Sequence, residues 1–253
     1  MDKVIFISVV RDFAMYDRLV RNNPKNAGDE FVCFDNRKEN VGVAERYNSF
    51  LDSYDYESPA WFVFCHEDWE TKEDLTEKLG GLAYDHLYGP IGATTIVTAK
   101  TVYHYTRGFC RQSDRDGRRP TRCKGLYPKG RVDTFDCQCL IVHSSTILQH
   151  RLRFDPAFTF DLYVEDFCIN AYEKYGITSE ILPLDCQHWS YGSVSERFRE
   201  LKAILDSKCS GIYSTTADNA VLGNAGSRKS QFFARFFLNH PEKYILLLKE
   251  KLR

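Results

Sequence analysis

The sequence predicts an α/β fold with a mostly parallel central sheet flanked by helices. Three short apolar runs, at 4–10, 30–34 and 61–65, alternate with two segments whose apolar residues have helical spacing. The order strand, helix, strand, helix, strand requires right-handed crossovers and therefore a parallel sheet. The 253 residues are enough for one such domain with a further segment behind it.

Composition narrows the class of protein. Hydrophobic residues make up 43% of the chain, which is typical of a globular protein. The formal net charge of −1 gives no general attraction to nucleic acid, so no nucleic-acid partner is expected. The first apolar run is too short for a signal peptide, and no run reaches the roughly 18 residues of a membrane span. Nine cysteines without a C-x-x-C pair favour reduced thiols and a cytoplasmic protein.

The remaining elements follow in order. Further helices are predicted at 11–20, 43–54, about 71–82 and from Asp166 to Lys174, and further strands at 87–97, 132–142 and 177–184. Gly176 suits the position directly after a helix. Residues 194–253 have a helical pattern with a glycine-rich break at 223–226. We therefore predict a catalytic-sized domain over 1–192 and a helical C-terminal extension over 193–253.

The third apolar run ends abruptly on His66, Glu67 and Asp68. Open α/β sheets bind ligands at the carboxyl ends of their strands. If the strand stays extended to its tip, His66 and Asp68 share one side and Glu67 points to the other. Alternatively, Asp68 and Thr71 cap the next helix and His66 is a solvated loop residue.

The chain lacks the two glycine-rich loops that commonly bind phosphates. The sequence has no G-x-G-x-x-G and no G-K-[ST] loop, so another cation must neutralise a bound diphosphate. A divalent ion held by the carboxylate after the third strand would serve. The segment 107–131 holds seven arginines and two lysines, and is either a surface connector or a flap that supplies cations to phosphates.

The C-terminal extension carries aromatic residues interleaved with basic ones. They are Phe232, Phe233, Phe236 and Phe237 with Arg228, Lys229 and Arg235. This pattern suits packing on the main domain, a homodimer contact, or a peripheral membrane contact.

Five features in one order resemble the GT-A-fold nucleotide-sugar glycosyltransferases of the family 2 type, most closely the branch named for the StrF domain of streptomycin biosynthesis. They are residues 44–48 (AERYN), His66-Glu67-Asp68, Asp136, the stretch from Phe154-Asp155 to Glu165-Asp166, and His188. The resemblance covers about residues 3–192. Residues 64–68 (FCHED) are similar to that branch's H-x-D form of the D-x-D metal motif, and 163–168 (YVEDFC) to its aromatic-x-x-D block.

This resemblance implies a GT-A fold and an inverting, metal-dependent transfer of a sugar from a nucleoside-diphosphate sugar to an acceptor hydroxyl. The setting would be bacterial glycan biosynthesis, with a glycan, lipid-linked or protein acceptor. Asp68, His66 and His188 would hold Mn²⁺ or Mg²⁺. Because His66 replaces the first carboxylate of D-x-D, Mn²⁺ suits the site better than Mg²⁺.

The resemblance also implies roles for residues outside the metal site. Asp166 would be the catalytic base, with Glu165 orienting it or the acceptor. Asp136 would bind hydroxyls of the donor sugar. Asp35 and Asn36 would recognise the base, and Arg46 and Asn48 would lie near the nucleotide.

Three other functions stay open at this point. A non-catalytic relative would bind a nucleotide sugar or glycan, since His66 weakens the hold on a hard cation. A nucleotidyltransferase normally has a glycine-rich loop after its first strand, and Ser8 to Asp12 contain no glycine. A hydrolase would use Asp68 and Asp166 as an acid and base pair.

Overall fold

The computed structural model describes residues 2–118, 122–125, 127–191 and 194–232. Their strands are β1 (Lys3–Val10), β2 (Glu30–Asp35), β3 (Ala60–Cys65), β4 (Trp69–Thr71), β5 (His86–Gly89), β6 (Ile91–Val97), β7 (Thr101–Gly108), β8 (Cys110–Gln112), β9 (Arg122–Lys124), β10 (Arg131–Val132), β11 (Thr134–Phe135), β12 (Cys139–His143), β13 (Thr178–Ile181), β14 (Cys186–His188), β15 (Tyr213–Ser214), β16 (Val221–Leu222) and β17 (Lys229–Phe232). The α-helices are α1 (Phe13–Tyr16), α2 (Val43–Ser53), α3 (Leu75–Leu79), α4 (Ser144–His150), α5 (Tyr163–Tyr175) and α6 (Glu196–Lys208). A π-helix (Asp17–Arg21) continues α1, and 3₁₀ turns lie at Pro24–Asn26 and Ala217–Asn219.

The central sheet has seven strands in the order β10-β13-β5-β12-β3-β1-β2. β1 pairs in parallel with both β2 and β3, and β5 pairs in parallel with β13. β12 is antiparallel to β3 and β5, and β10 is antiparallel to β13. Five of the seven strands therefore run in one direction, and the predicted α/β fold with a mostly parallel sheet is confirmed.

Both faces of this sheet are covered, because successive strand side chains point to opposite faces. Phe62 and Phe64 of β3 pack in one core cluster with residues of α2, α4, α5 and α6. Trp61, Val63 and Cys65 pack in a second cluster with α1, the π-helix and α3. The continuous apolar run of β3 is thus explained by burial on both sides.

A small sheet, in the order β4-β14-β8-β9, lies next to the carboxyl end of β3. Its first strand occupies the start of the helix predicted at about 71–82, and α3 begins only at Leu75, where Asp74 caps it by accepting from the backbone N–H of Glu77. Part of the arginine-rich segment at 107–131 also forms strands here, namely β8 and β9. Residues 119–121 and 126 lie outside the described residues.

The extension begins with the predicted helix, α6, whose Phe198, Leu201 and Leu205 belong to the same core cluster as α5. The helical prediction fails between 213 and 232, where the chain forms β15, β16 and β17. Gly223 has φ +81° and lies so close to Gly211 O that a Cβ would approach it to 2.2 Å, a packing that a helix could not provide. Among the described residues no helix has the length and apolarity needed to cross a bilayer. The aromatic residues from Phe233 onward lie outside the described residues.

Candidate metal centre and its two cavities

His66, Glu67 and Asp68 form a tight turn after β3. The backbone N–H of Trp69 donates to His66 O at 3.2 Å, so the prediction of an extended strand tip is wrong. The turn nevertheless brings His66 Nδ1 to 3.9 Å from Asp68 Oδ1. The carboxylate of Glu67 points elsewhere and accepts from the backbone N–H groups of Arg11 and Asp12, at 2.5 and 2.9 Å.

His188 reaches this turn through the small sheet. β14 pairs antiparallel with β4 so that His188 lies opposite Trp69, and the backbone N–H of Trp189 donates to Asp68 O at 2.9 Å. His188 Nε2 then lies 3.2 Å from Asp68 Oδ1. One ligand atom each from His66, Asp68 and His188 lies within 4.8 Å of the others, and this is the one such group of three found among the described residues.

These three side chains fit a divalent ion. Neighbouring ligands of an octahedral ion lie about 3 Å apart when each is about 2.1 Å from the metal, close to the separation of His188 Nε2 and Asp68 Oδ1. His188 is 7% exposed; its Nε2 faces Asp68, and its Nδ1 has no hydrogen-bond partner among the described residues. A buried donor atom of this kind needs a partner. Two imidazoles with one carboxylate suit Mn²⁺ and other transition metals better than Mg²⁺.

The electrostatics of the group favour an ionised carboxylate. Burial opposes ionisation of Asp68, but the neighbouring His188 lowers the pKa of that carboxyl far below its usual value. Burial likewise works to lower the pKa of His188, but Asp68 outweighs it and the pKa of His188 is raised. For His66 burial prevails, and its pKa is lowered. A bound cation would therefore replace the proton of His188 as the partner of Asp68.

Arg115 is a partly exposed cation beside the carboxylate of Asp68. Its guanidinium lies 3.8 Å from Asp68 Oδ2, 3.5 Å from Glu67 Oε1 and 3.6 Å from Asp12 Oδ2, with about half of the side chain exposed. The arginine-rich segment therefore does place one positive charge at the candidate metal centre.

The first cavity, of about 480 Å³, opens at the carboxyl ends of β1, β2 and β3. Its walls include Arg11 after β1, Asn36 after β2, and Gly42 and Val43 at the start of α2. No side chain caps the N-terminus of α2, but the backbone N–H of Val43 donates to Thr159 O at 2.7 Å. The positive end of the helix dipole lies at this cavity, which favours an anion there.

The second cavity, of about 640 Å³, lies on the other side of the metal centre. It is lined by the carboxylates of Asp136, Asp161, Glu165 and Asp218, and by residues of the extension. The two cavities share four lining residues, which are His66, Asp68, Arg115 and Phe160. The candidate metal centre thus lies at their junction.

Of the four residues predicted to contact the nucleotide, Asn36 alone lines one of these two cavities. Asn36 lines the first cavity, and its amide holds the loop at Val41 through two hydrogen bonds. Asp35 pairs with Arg37 and Arg46 with Glu39. Asn48 bonds the backbone of Phe154, at 2.8 and 2.9 Å. Asp35, Arg46 and Asn48 are not among the residues that line either cavity.

Glu165 and Asp166 face different surroundings. Glu165 lines the second cavity and accepts from Thr215 Oγ1 at 2.5 Å and Cys137 Sγ at 3.0 Å. Burial raises its pKa to about 7, although these hydrogen bonds lower it in part. Asp166 is as buried as Glu165, but its carboxylate binds Lys208 Nζ at 2.5 Å and does not line either cavity. The structure therefore brings Glu165, but not Asp166, to the cavity beside the metal centre.

The start of α5 is strained. Leu162, the residue before the helix, is buried and has φ 63°, a left-handed conformation that bulky side chains rarely adopt. Such a residue costs about 1–3 kcal/mol and persists where its surroundings fix it, often at functional sites. Leu162 itself and Glu165, three residues later, both line the second cavity.

Sequence reasoning missed Phe160 and gave no role to Tyr163, although Tyr163 belongs to the 163–168 (YVEDFC) motif. Phe160 is 60% exposed at the junction of the cavities and stacks on His66, with ring centroids 5.8 Å apart. Tyr163 Oη lies 3.1 Å from His66 Nε2. Apolar and polar residues alternate from Phe158 to Leu162, a pattern that by itself predicts a half-buried strand, so the sequence held no distinct signal for Phe160.

Comparisons with known proteins found similar solved structures but no matching family model or curated sequence. A scan against family models and a search of curated proteins gave no match. Among solved structures, one of GalNAc-T7 with UDP, GalNAc and Mn²⁺ matches 82% of this chain with 8% identity and a TM-score of 0.49, and this chain spans 49% of its length. A structure of A197 from STIV matches 92% of this chain and 97% of its own, with 13% identity and a TM-score of 0.39. At these values neither likeness carries an argument about activity.

Proposed function

We propose that this protein is a metal-dependent glycosyltransferase that moves a sugar from a nucleoside-diphosphate sugar to an acceptor hydroxyl. The observation that supports it most directly is the group His66, Asp68 and His188 at the junction of two cavities. Sugar transfer needs two substrates on either side of a centre that stabilises the departing diphosphate. This arrangement provides such a centre with room on both sides.

The first cavity would bind the nucleoside diphosphate. It lies where open α/β sheets bind nucleotides, at the carboxyl ends of the parallel strands. The guanidinium groups of Arg11 and Arg115, with the positive end of the α2 dipole, would supply positive charge in place of a glycine-rich phosphate loop. Asn36 would then contact the base or ribose.

His66, Asp68 and His188 would hold the ion, with Mn²⁺ preferred over Mg²⁺. A bound Mn²⁺ would supply Lewis-acid stabilisation of charge on the diphosphate oxygens. The exposed half of Arg115 leaves its guanidinium able to turn from Asp68 toward those oxygens. Phe160, exposed at the junction, would cover the sugar between the two cavities.

The second cavity would bind the acceptor, with Glu165 as the base. A group with a pKa of about 7 is well matched to removing a hydroxyl proton near neutral pH. Asp136, which accepts from Thr216 Oγ1 at 2.8 Å, would bind sugar hydroxyls. Because the cavity walls are rich in carboxylates, neutral or cationic acceptors fit better than anionic ones. Attack from this side, opposite the diphosphate, would invert the anomeric carbon.

Donor turnover with Mn²⁺ tests the proposal and the choice of base together. Purified protein is given uridine, guanosine and thymidine diphosphate sugars, and released diphosphate is measured with and without a panel of acceptors. We expect Asp68→Asn to lower turnover at least 100-fold through loss of metal, and Glu165→Gln to lower it about 10²–10⁴-fold. Asp166→Asn, corrected for folded protein, should stay within tenfold of wild type.

Three results would count against parts of this proposal. Binding of a nucleoside diphosphate with Mn²⁺ but without turnover of any donor would identify a non-catalytic binding protein. Loss of activity in Asp166→Asn with activity retained in Glu165→Gln would reverse the assignment of the base. Release of free sugar without any metal requirement would point to a hydrolase.

A second function is favoured by the ligand set alone. Two histidines and one carboxylate with open positions also occur in non-haem Fe(II) oxygenases. Consumption of O₂ by the Fe²⁺-loaded protein, abolished by His188→Ala and indifferent to nucleotides, would support that reading. The anion-favouring first cavity beside the same centre argues for the transferase.

A further inference from the structure

We infer that Tyr163 is a positioning residue that holds His66 in the Nε2–H tautomer, so that the Nδ1 lone pair faces the metal position. The inference rests on the proposed function only in naming Mn²⁺ as the ion that Nδ1 would meet. The tautomer itself is a property of the metal-free protein.

Tyr163 has three polar neighbours. Its hydroxyl donates to the backbone carbonyl of Cys137 at 2.8 Å and lies 3.1 Å from His66 Nε2. The hydroxyl of Tyr47, which can itself donate to Cys65 O, is the third. Tyr163 is fully buried, on the first turn of α5 directly after the strained Leu162. Its position is therefore fixed by the packing around it.

The single proton of this hydroxyl decides the direction of both hydrogen bonds. A carbonyl oxygen only accepts, so the proton of Tyr163 must point to Cys137. The phenolic oxygen then meets His66 as an acceptor, and Nε2 must carry the proton of the imidazole. The opposite arrangement would leave the carbonyl of Cys137 without this donor in a buried position.

This tautomer determines the state of the other ring nitrogen of His66, Nδ1. With Nε2 protonated in the neutral imidazole, Nδ1 has a free lone pair. Nδ1 is also the atom that lies 3.9 Å from Asp68 Oδ1, on the side of the candidate ligand group. Groups that orient a ligating histidine in this way typically change metal affinity 10–100-fold when they are removed. Phe160, stacked on the other side of the ring, limits its rotation.

The test uses metal-free, full-length protein labelled with ¹⁵N-histidine, at a pH where His66 is neutral. Long-range ¹H–¹⁵N spectra distinguish the two tautomers, and His66→Gln identifies the His66 signals by their loss. We expect His66 to be the Nε2–H tautomer in wild type and a mixture in Tyr163→Phe. Titration with Mn²⁺, followed by electron paramagnetic resonance, should show binding about 10–100-fold weaker in Tyr163→Phe.

Tyr16→Phe is the matched control. Tyr16 is equally buried but packs in the other core cluster, so its loss should leave the tautomer and the Mn²⁺ affinity unchanged. A wild-type Nδ1–H tautomer would overturn the inference, as would a Tyr163→Phe protein with both properties unaltered. If Tyr163→Phe does not fold, the wild-type spectrum alone decides. Absence of Mn²⁺ binding in wild type would contradict the proposed function, whereas the tautomer would still be read independently.

Discussion

At the scale of single residues, the site depends on which of two adjacent acids faces the second cavity. Glu165 is buried there and accepts hydrogen bonds from the hydroxyl of Thr215 and the thiol of Cys137. Asp166 forms an ion pair with Lys208 instead. A buried carboxyl without a cation keeps its proton to higher pH than one with a cation. Burial raises the pKa of both carboxyls, but at Asp166 the neighbouring Lys208 offsets part of that rise, whereas at Glu165 hydrogen bonds from Cys137 and Thr215 do so.

Glu165→Gln should stabilise the protein at alkaline pH. The pKa of Glu165 is about 7 in the folded state against 4.5 in an unfolded chain, so folding favours the protonated form. Its contribution is full below about pH 4.5 and is lost as pH rises through 7. The variant should match wild type near pH 5 and exceed its free energy of unfolding at pH 8 by up to about 3 kcal/mol, measured by urea unfolding across pH.

Glu173→Gln, on the same helix, is the control for that measurement. Burial opposes ionisation of Glu173, but hydrogen bonds from Ser210 and Tyr213 outweigh it and lower its pKa. The sign is therefore reversed: the contribution of Glu173 is lost as pH falls below about 4.5 and is fully present above it, so Glu173→Gln should be less stable than wild type by a constant amount from pH 5 to 8. A constant difference between Glu165→Gln and wild type from pH 5 to 8 would contradict the account of Glu165.

The sequence could predict site residues that lie at the end of a buried strand. It could not predict which residues of a helix face the site, because that depends on how the helices pack. His66 and Asp68 could be found because they end an apolar run that must be buried. Their convergence with His188 was implied only by family resemblance, since it depends on the pairing of β4 with β14. Glu165 and Asp166 are neighbours on α5, about 100° apart around the helix axis. Only the packing of α6 decides which of them faces the cavity.

At the scale of elements, α6 is tied to α5 through one charged contact. Lys208, near the end of α6, binds Asp166 Oδ1 at 2.5 Å and Asp155 Oδ2 at 2.6 Å. The apolar face of the same helix packs in the main core. The division of the chain at residue 192 remains a prediction, but Phe198 of α6 lines the second cavity, so the first part of the extension contributes to the site.

Lys208→Met should destabilise the protein by about 2–4 kcal/mol. Removing one partner of a buried pair typically costs 3–5 kcal/mol, and the exposed third of Lys208 reduces the expected loss. Combining it with Asp166→Asn should recover part of this stability, because the buried charge is then removed as well. Denaturant unfolding of both single variants and the double variant measures the coupling.

Lys202→Met is the matched control on the same helix. Lys202 pairs with Asp206 one turn away, on the partly exposed face, and such pairs contribute only about 0.3–0.5 kcal/mol. Equal losses in Lys202→Met and Lys208→Met would show that Lys208 acts only through helix propensity. They would also remove the reason to place Asp166 outside the catalytic group.

The strands after α6 show why this region was not predicted. Residues 213–232 contain short apolar groups separated by glycines, and none is long enough to show a period of its own. β17 forms a strand because it pairs with the edge of β7, which lies far earlier in the sequence. Local patterning therefore could not distinguish strand from helix here.

At the scale of the whole molecule, the two cavities have different origins. The first is built by the β1 to β3 half, whose order along the chain already predicted a cleft at the strand ends. The second is closed by residues such as Phe198, Thr216 and Asp218, which the sequence assigned to a separate extension. The chain thus surrounds its candidate metal centre with parts that are far apart in sequence, and a ligand bridging them should stabilise the whole fold.

A nucleoside diphosphate together with Mn²⁺ should therefore raise the melting temperature more than either alone. At a ligand concentration 100 times its Kd the stabilisation is about 2.7 kcal/mol, which corresponds to roughly 5–10 °C for a chain of this size. The nucleoside monophosphate with Mn²⁺ and the diphosphate with a chelator are the controls, and Asp68→Asn should abolish the synergy. If the diphosphate stabilised wild type and Asp68→Asn equally, the phosphates would be held by the start of α2 and the arginines alone. The three ligand residues would then have no part in binding the donor.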